Sequence, residues 1–545
     1  MIKSVIKLIF VSVILTLFVK CAQVGVLTGG KRDLNPPKLI EAIPKINSVN
    51  FNSDFVELKF DEHIKLSNLK SELIISPQLN FEPEIESDGK KILISFKKQL
   101  LKPNTTYRIN FGKSICDMTE GNSADNFEYV FSTGNYVDSM KIKGYVTNSF
   151  NKNVEKNIIV GLYTGIEKTD SIPYKNTPNY YCRTSDDGSF SFRNMANNNY
   201  AVYGFSDLNK NLLYDGETEE IAFLNSKLQL LSDTTLNLKL FKEKPSKSFI
   251  KKINNPYYGF CQIIFNTKCV SRLSALNYND NKNIFEINPN NEKDTLSFYY
   301  KNLKDTLSVI IKNLTYKKTD TLIVRLPKQN TLKKKINFST NTTNSYLALN
   351  KKLQLSFYNW MDTTKIDLSK IYLSSKKDSV ITKEKIKYKW LNISTIEISN
   401  NLKQGCDYTI KIDTAAFMDY KGVVNDSLKN SFVTKSEIEF GKVALKLLFN
   451  KKQNYIVQLV NEQGIVSQEK YTTISLSESN NKTIDFTELI PGSYQLKIIY
   501  DDNENKKWDT GNLIFDKQPE HVFIYSKKIK VLPDWEIEEE ILIKE

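Results

Sequence analysis

Histidine is almost missing from this chain. Of 545 residues only His63 and His521 are histidines, and they stand near opposite ends. Nucleophilic triads usually draw their base from histidine, and zinc sites need histidine or cysteine at short spacing. Neither arrangement occurs. Cysteine is scarce too: with Cys21 set aside, Cys116, Cys182, Cys261, Cys269 and Cys406 are scattered and odd in number. No disulfide framework follows from such a set. Cys261 and Cys269 are close enough in sequence to pair within one hairpin, but buried free thiols are the expectation. No glycine-rich loop follows a strand and opens a helix, which removes the usual phosphate cradle. The formal charge is +14, yet there is no compact arginine cluster and no basic patch interleaved with aromatics. Nucleic acid is therefore not expected as a partner, and neither catalysis nor a required cofactor is expected.

Long apolar runs are missing as well. The longest, Leu8–Val19, follows Lys3 and Lys7 and ends at Lys20-Cys21-Ala22. It is too short to span a bilayer, which takes about 20 apolar residues, but it suits the apolar core of a secretory signal. A cysteine directly after such a run marks residues 1–20 as a signal peptide and Cys21 as a lipidation site. Lys20 departs from the small residue normally found there. Residues 21–36, with Gly29, Gly30 and Pro36, make a lipidated N-terminus and linker. The positive charge then suits an anionic envelope surface.

What the chain does have is strand signal. Val56, Leu58 and Phe60 alternate with Glu57 and Lys59; Ile92, Ile94 and Phe96 alternate likewise, as do Tyr107, Ile109 and Phe111. Short period-two runs between Asn, Asp, Gly and Pro turns indicate antiparallel sandwiches. The chain also repeats itself. "LLKPNTTYRINFGKSICDMTEGN" from Leu100 matches "NLKQGCDYTIKIDTAAFMDYKGVVND" from Asn401, each with a tyrosine-led strand and then Asp and Gly. "FRNMANNNYAVYGFSDLNKNLLYDG" matches "FTELIPGSYQLKIIYDDNENKKWDTG", with Phe192, Tyr200 and Asp207 at the offsets of Phe486, Tyr494 and Asp501.

After those aspartates the spacing is identical: Asp207, Asn209, Asn211, Asp215 against Asp501, Asn503, Asn505, Asp509. Oxygen-bearing side chains on alternate residues of a tight loop can serve a hard cation such as Ca²⁺. The same residues also build loops through Asx-turns without any ion. Leu212 and Lys506 stand where an EF-hand has glycine, and no glutamate stands at the twelfth position, so both readings stay open. Adjacent carboxylates such as Asp61-Glu62 and Asp186-Asp187 point apart on a strand or belong to a turn. Trp360, Trp390, Trp508, Trp535, Tyr180 and Tyr181 could stack on sugar rings, although core packing is their ordinary role.

Several of these segments look familiar together. "CAQVGVLTGGKRDLNPPKL", "KFDEHIKL", "LKPNTTYRINFGKSICDMTEGN" and "YVFSTG" resemble the N-terminal Ig-like module of a Bacteroidota outer-membrane lipoprotein family, itself similar to S-layer Ig-like domains. "LIPGSYQLKIIYDDNENKKWDTGN", "PEHVFIY" and "DWEIE" resemble the same family's C-terminal region. The modules at 137–243 and 437–532 are similar to transthyretin-like (prealbumin) sandwiches. The resemblance implies an all-β chain of tandem antiparallel β-sandwich modules, with no helical domain after the signal. The expected units are Ig-like at 37–136, transthyretin-like at 137–243, a β domain of undetermined kind at 244–335, Ig-like at 336–436, transthyretin-like at 437–532, and a tail at 533–545.

By the same resemblance the protein is a lipid-anchored structural or interaction subunit of the outer membrane. It would be associated with an outer-membrane β-barrel protein or the barrel assembly machinery, and the leaflet is undetermined because no acidic run follows Cys21. Envelope glycan binding is the alternative. Asp-Ser/Thr followed by a small or apolar residue recurs along the chain and resembles the O-glycosylation acceptor of exported Bacteroidota proteins; Ser139 and Ser427 are the expected acceptors.

Overall fold

The computed structural model describes residues 33–543, apart from 98–99, 166, 168–170, 277–282, 288–291, 329–334, 343–344, 348–350, 378–379 and 476–479. Cys21 and the signal segment lie outside the described residues. Within them the chain is a row of β-sandwiches, and the α-helices among the described residues, Leu69–Glu72 and Ile172–Lys175, are four residues each.

The alternation seen in sequence decides which face goes inward. In the strand Phe55–Phe60, Val56, Leu58 and Phe60 are fully buried while Phe55 stays exposed. Burying a large apolar side chain is worth about 1.5–3 kcal/mol, so a one-residue slip of register would forfeit several such terms at once. The first sandwich packs Leu39–Ile43, Phe55–Phe60, Lys91–Ser95 and Glu84–Asp88 against Ile74–Ser76, Thr106–Asn110 and Glu128–Ser132.

Its repeat closes the same way near residues 336–434. In both copies a tyrosine stacks on a phenylalanine across the ladder: Tyr107 on Phe131 at 5.3 Å and Tyr408 on Phe432 at 5.5 Å. Each tyrosine hydroxyl accepts the backbone N–H of the lysine five residues earlier, Lys102 at 2.8 Å and Lys403 at 2.7 Å. Asp117 and Asp419 then anchor the following turn by accepting backbone N–H groups, which is why Asp and Gly recur at those offsets.

The second and fifth sandwiches share a topology. Met140–Asn148 pairs antiparallel with Ser189–Met195 and parallel with Thr234–Lys242. Gly441–Leu448 pairs antiparallel with Asn481–Leu489 and parallel with Glu536–Leu542. The segment expected as a tail is therefore corrected: residues 536–542 form the closing strand of the fifth sandwich, with Ile541 and Ile543 buried in its core. Its four glutamates disguise the pattern, since Glu536, Glu538 and Glu540 face outward while Ile537 and Ile541 pack inward. The region 244–335 also proves to be a sandwich. Its four-stranded sheet carries Phe260–Cys269 and Lys293–Tyr300, and a three-stranded sheet of Ser271–Ala275, Thr306–Asn313 and Lys318–Arg325 covers it.

Candidate functional site

The two repeated acidic loops leave corresponding strands, Asn199–Phe205 and Gly492–Asp501. In the first, the Asp207 carboxylate accepts the N–H groups of Asn211 at 3.0 Å and Leu212 at 3.2 Å. In the second, Asp501 accepts those of Asn505 at 3.1 Å and Lys506 at 2.9 Å. These bonds hold the backbone in the left-handed region at matching positions: Lys210 at 63° and Leu212 at 59°, Glu504 at 62° and Lys506 at 61°. An L-residue in that region costs roughly 1 kcal/mol, and charge-assisted bonds from a carboxylate of about 1.5–3 kcal/mol offset it. The side-chain amides of Asn209 and Asn211 donate to Asp215, and those of Asn503 and Asn505 donate to Asp509. The structure thus brings each sequence-predicted set of four together.

It also adds a fifth member to each. Glu219 accepts the N–H groups of Leu208 at 2.8 Å and Asp215 at 2.9 Å. Glu520 accepts those of Asp502 at 3.1 Å and Asp509 at 2.8 Å. Both glutamates are buried. Desolvation raises the Glu219 carboxyl above the ordinary range. Desolvation, reinforced by Asp509 and Asp501, pushes Glu520 up to about 7. Asp509 moves the other way: burial raises it, but hydrogen bonds from Lys244 and Asn503 outweigh that. Among the described residues no three His, Cys, Asp or Glu side chains converge closely enough to hold a metal ion. The loop oxygens instead accept backbone and amide donors, which makes each loop a self-satisfied Asx-turn scaffold in the form seen.

The second loop has an additional task. It docks on the second sandwich, 270 residues away in sequence. Leu513 is buried in an apolar cluster of the second sandwich that includes Tyr163, Tyr203, Phe223 and Phe241, and its N–H donates to the buried Glu243 carboxylate at 2.6 Å. Tyr214, from the first loop, donates its hydroxyl to the same carboxylate at 2.8 Å. Around this centre Lys244 meets Asp509, Thr510 Oγ1 donates to the Lys242 carbonyl at 2.7 Å, and Gln518 donates to the Phe223 carbonyl at 2.9 Å. Trp508 packs on Phe150 at 4.9 Å, with Lys497 over the same ring at 3.8 Å. A side chain at Gly511 would meet the Phe241 ring at 2.5 Å, so only glycine fits the contact.

Other sequence candidates fall elsewhere. Ser139 and Ser427 are exposed and stand immediately before the strands Met140–Asn148 and Leu428–Thr434. His63 is exposed at a turn, and the five described cysteines are free. Trp360 is buried beside Phe285 and Tyr420, Trp390 packs on Phe357 and Phe417, and Trp535 is exposed. Tyr180 packs on Tyr200. Asp186 and Asp187 form the turn that Gly188 closes.

The model of one family, the bacterial Ig-like domain, matches residues 33–133, the first sandwich. No curated protein matches the chain. Among solved structures, BcpA, the major pilin subunit of Bacillus cereus, is 12% identical over 74% of this chain and 99% of its own, with a TM-score of 0.16. Salmonella alpha-2-macroglobulin reacted with methylamine is 9% identical over 88% of this chain and 44% of its own, with a TM-score of 0.15. Domains 1–6 of the surface layer protein SbsC are 11% identical over 91% of this chain and 67% of that one, with a TM-score of 0.14.

Proposed function

We propose that this chain is a Bacteroidota outer-membrane lipoprotein, anchored through Cys21, that serves as a structural and interaction subunit beside an outer-membrane β-barrel protein or its assembly machinery rather than as an enzyme. The observation that carries the reading is the clasp between the second and fifth sandwiches, which turns a string of modules into a braced scaffold. Open sheet edges on that scaffold give a partner somewhere to attach. The strand Val380–Glu384 pairs on one side only and exposes Val380 and Ile381 at 66% and 68%. Natural edges are normally blunted by charge or covered, and strand addition is a common docking mode.

A mild-detergent pull-down of the tagged full chain from its own envelope, read by mass spectrometry, tests this. A stoichiometric β-barrel protein supports the proposal, while recovery of the chain with no barrel protein overturns it. Cys21→Ser should move the protein from the membrane to the soluble fraction. If that variant stays membrane-bound, the anchor assignment fails.

A further inference from the structure

A cleft of about 1060 Å³ lies between the first and second sandwiches. Its floor is the outward face of three neighbouring strands. Because alternate residues point to opposite faces, Phe190 and Phe192 enter the core while Ser189, Ser191 and Arg193 face the cleft. Lys143 lies between Ser191 and Thr235 in register, and Tyr145 lies beside Ser189. The facing wall comes from the first sandwich, with Arg108 on Thr106–Asn110 and Glu128 on the neighbouring strand.

The walls are fixed in place. The Gln78 N–H donates to the Asn179 carbonyl at 2.6 Å, and Arg183 reaches the Ser71 carbonyl at 3.3 Å. At the hinge, Thr106 Oγ1 donates to Asp138 at 2.7 Å and Asn194 donates to the Asp138 carbonyl at 3.0 Å. A cleft already held open needs little ordering when a ligand enters.

Its charge is unbalanced. Arg108, Lys143, Arg183 and Arg193 line it against Glu72 and Glu128. Glu128 is neutralised by Arg108, and Glu72 accepts the Lys113 N–H at 3.0 Å. Three cations then face one carboxylate. Arg108 Nε is buried and has no hydrogen-bond partner, and leaving such a donor unpaired costs about 1–3 kcal/mol. Serine and threonine hydroxyls between the cations, and the rings of Tyr145 and Tyr181 at the sides, suit a ligand with many hydroxyls and flat apolar faces. The volume lies at the top of the range for small-ligand pockets, roughly 300–1,000 Å³, which favours several linked rings over one.

We propose that this cleft binds a short anionic oligosaccharide, with Lys143, Arg183 and Arg193 meeting its carboxylate or phosphate groups. The inference does not depend on docking to a β-barrel. Isothermal titration of the purified full chain at low salt tests it, with tetragalacturonate as the probe. Tetragalacturonate should bind, maltotetraose of the same length should not, and inorganic phosphate should compete only weakly. The double variant Lys143→Ser/Arg193→Ser should lose affinity by about tenfold or more, with an unchanged melting temperature because both side chains are exposed. Lys251→Ser/Lys252→Ser, exposed on another sandwich, should leave the affinity unchanged. The proposal is overturned if tetragalacturonate does not bind, if maltotetraose or a tetra-aspartate peptide binds as tightly, or if the cleft variant binds like the parent.

Discussion

The two acidic loops have one internal design and two surroundings. The first, from Asp207 to Glu219, points its tip to solvent, with Leu208 at 72% exposure. The second, from Asp501 to Glu520, runs on through Leu513 and Gln518 and is pressed against another sandwich. The comparison teaches that the loop scaffold is written locally, by Asp and Asn side chains bonding backbone two to five residues away. Docking was added by lengthening the segment between the final aspartate and the latch glutamate. Three residues separate Asp215 from Glu219, and ten separate Asp509 from Glu520; the extra residues carry Gly511 and Leu513 to the partner surface.

Breaking the docked loop should cost most. Leu513→Ala removes a side chain buried in the apolar cluster of the second sandwich, and large-to-small changes in such places cost about 2–5 kcal/mol. Denaturant melts should show that loss, and limited proteolysis should cut near residue 511 first. A loss below 1 kcal/mol would mean the clasp contributes little in solution.

Next in size is the pH response of the second loop. Glu520 titrates near 7 in the fold against an ordinary 4.5, so the fold prefers its protonated form. Its contribution to stability is full below about 4.5 and is lost as pH rises through 7, a span worth at most about 3 kcal/mol. Melting temperature should fall between pH 5 and pH 8, and Glu520→Gln should flatten the curve. If the loops take Ca²⁺, millimolar calcium at pH 8 should restore the lost stability by mass action. It should do so in the first loop as well, where Glu219 occupies the same place. Unchanged melting in EDTA and in calcium leaves only the Asx-turn role.

Smaller effects separate the loops further. Asp501→Ala and Asp207→Ala each strip two backbone N–H groups of their acceptor and should cost about 1–2 kcal/mol. The loss should be greater for Asp501, which is buried where Asp207 is half-exposed. Leu208→Ala, at the free tip, should change stability by less than about 0.5 kcal/mol. An equal response from Leu208 and Leu513 would erase the distinction between the loops.

Much of the architecture was legible in the residues themselves. Alternation marked the strands, and the paired tyrosine and aspartate offsets marked the repeats, because both depend on neighbours a few residues apart. Four members of each loop were legible for the same reason. The fifth was not: Glu219 lies 12 residues after Asp207 and Glu520 lies 19 after Asp501, so the copies share no common spacing there. Leu513 meeting Glu243, and Lys143 facing Arg108 across the cleft, join segments far apart in sequence with no pattern to announce them. The strand Glu536–Leu542 read as a tail because glutamate dominates its exposed face and only two isoleucines mark the other.

That last strand has a consequence for the order of assembly. A chain is made from its N-terminus, so the second sandwich is complete nearly 300 residues before Glu536–Leu542 can slot in beside Gly441–Leu448. Until then the fifth sandwich lacks its closing strand, and the loop that grips the second sandwich has no settled base. Phe223 and Phe241 are meanwhile bare apolar surface on an otherwise finished domain, the kind of interval in which unguarded chains stick to one another. The clasp can settle only after that strand has been made.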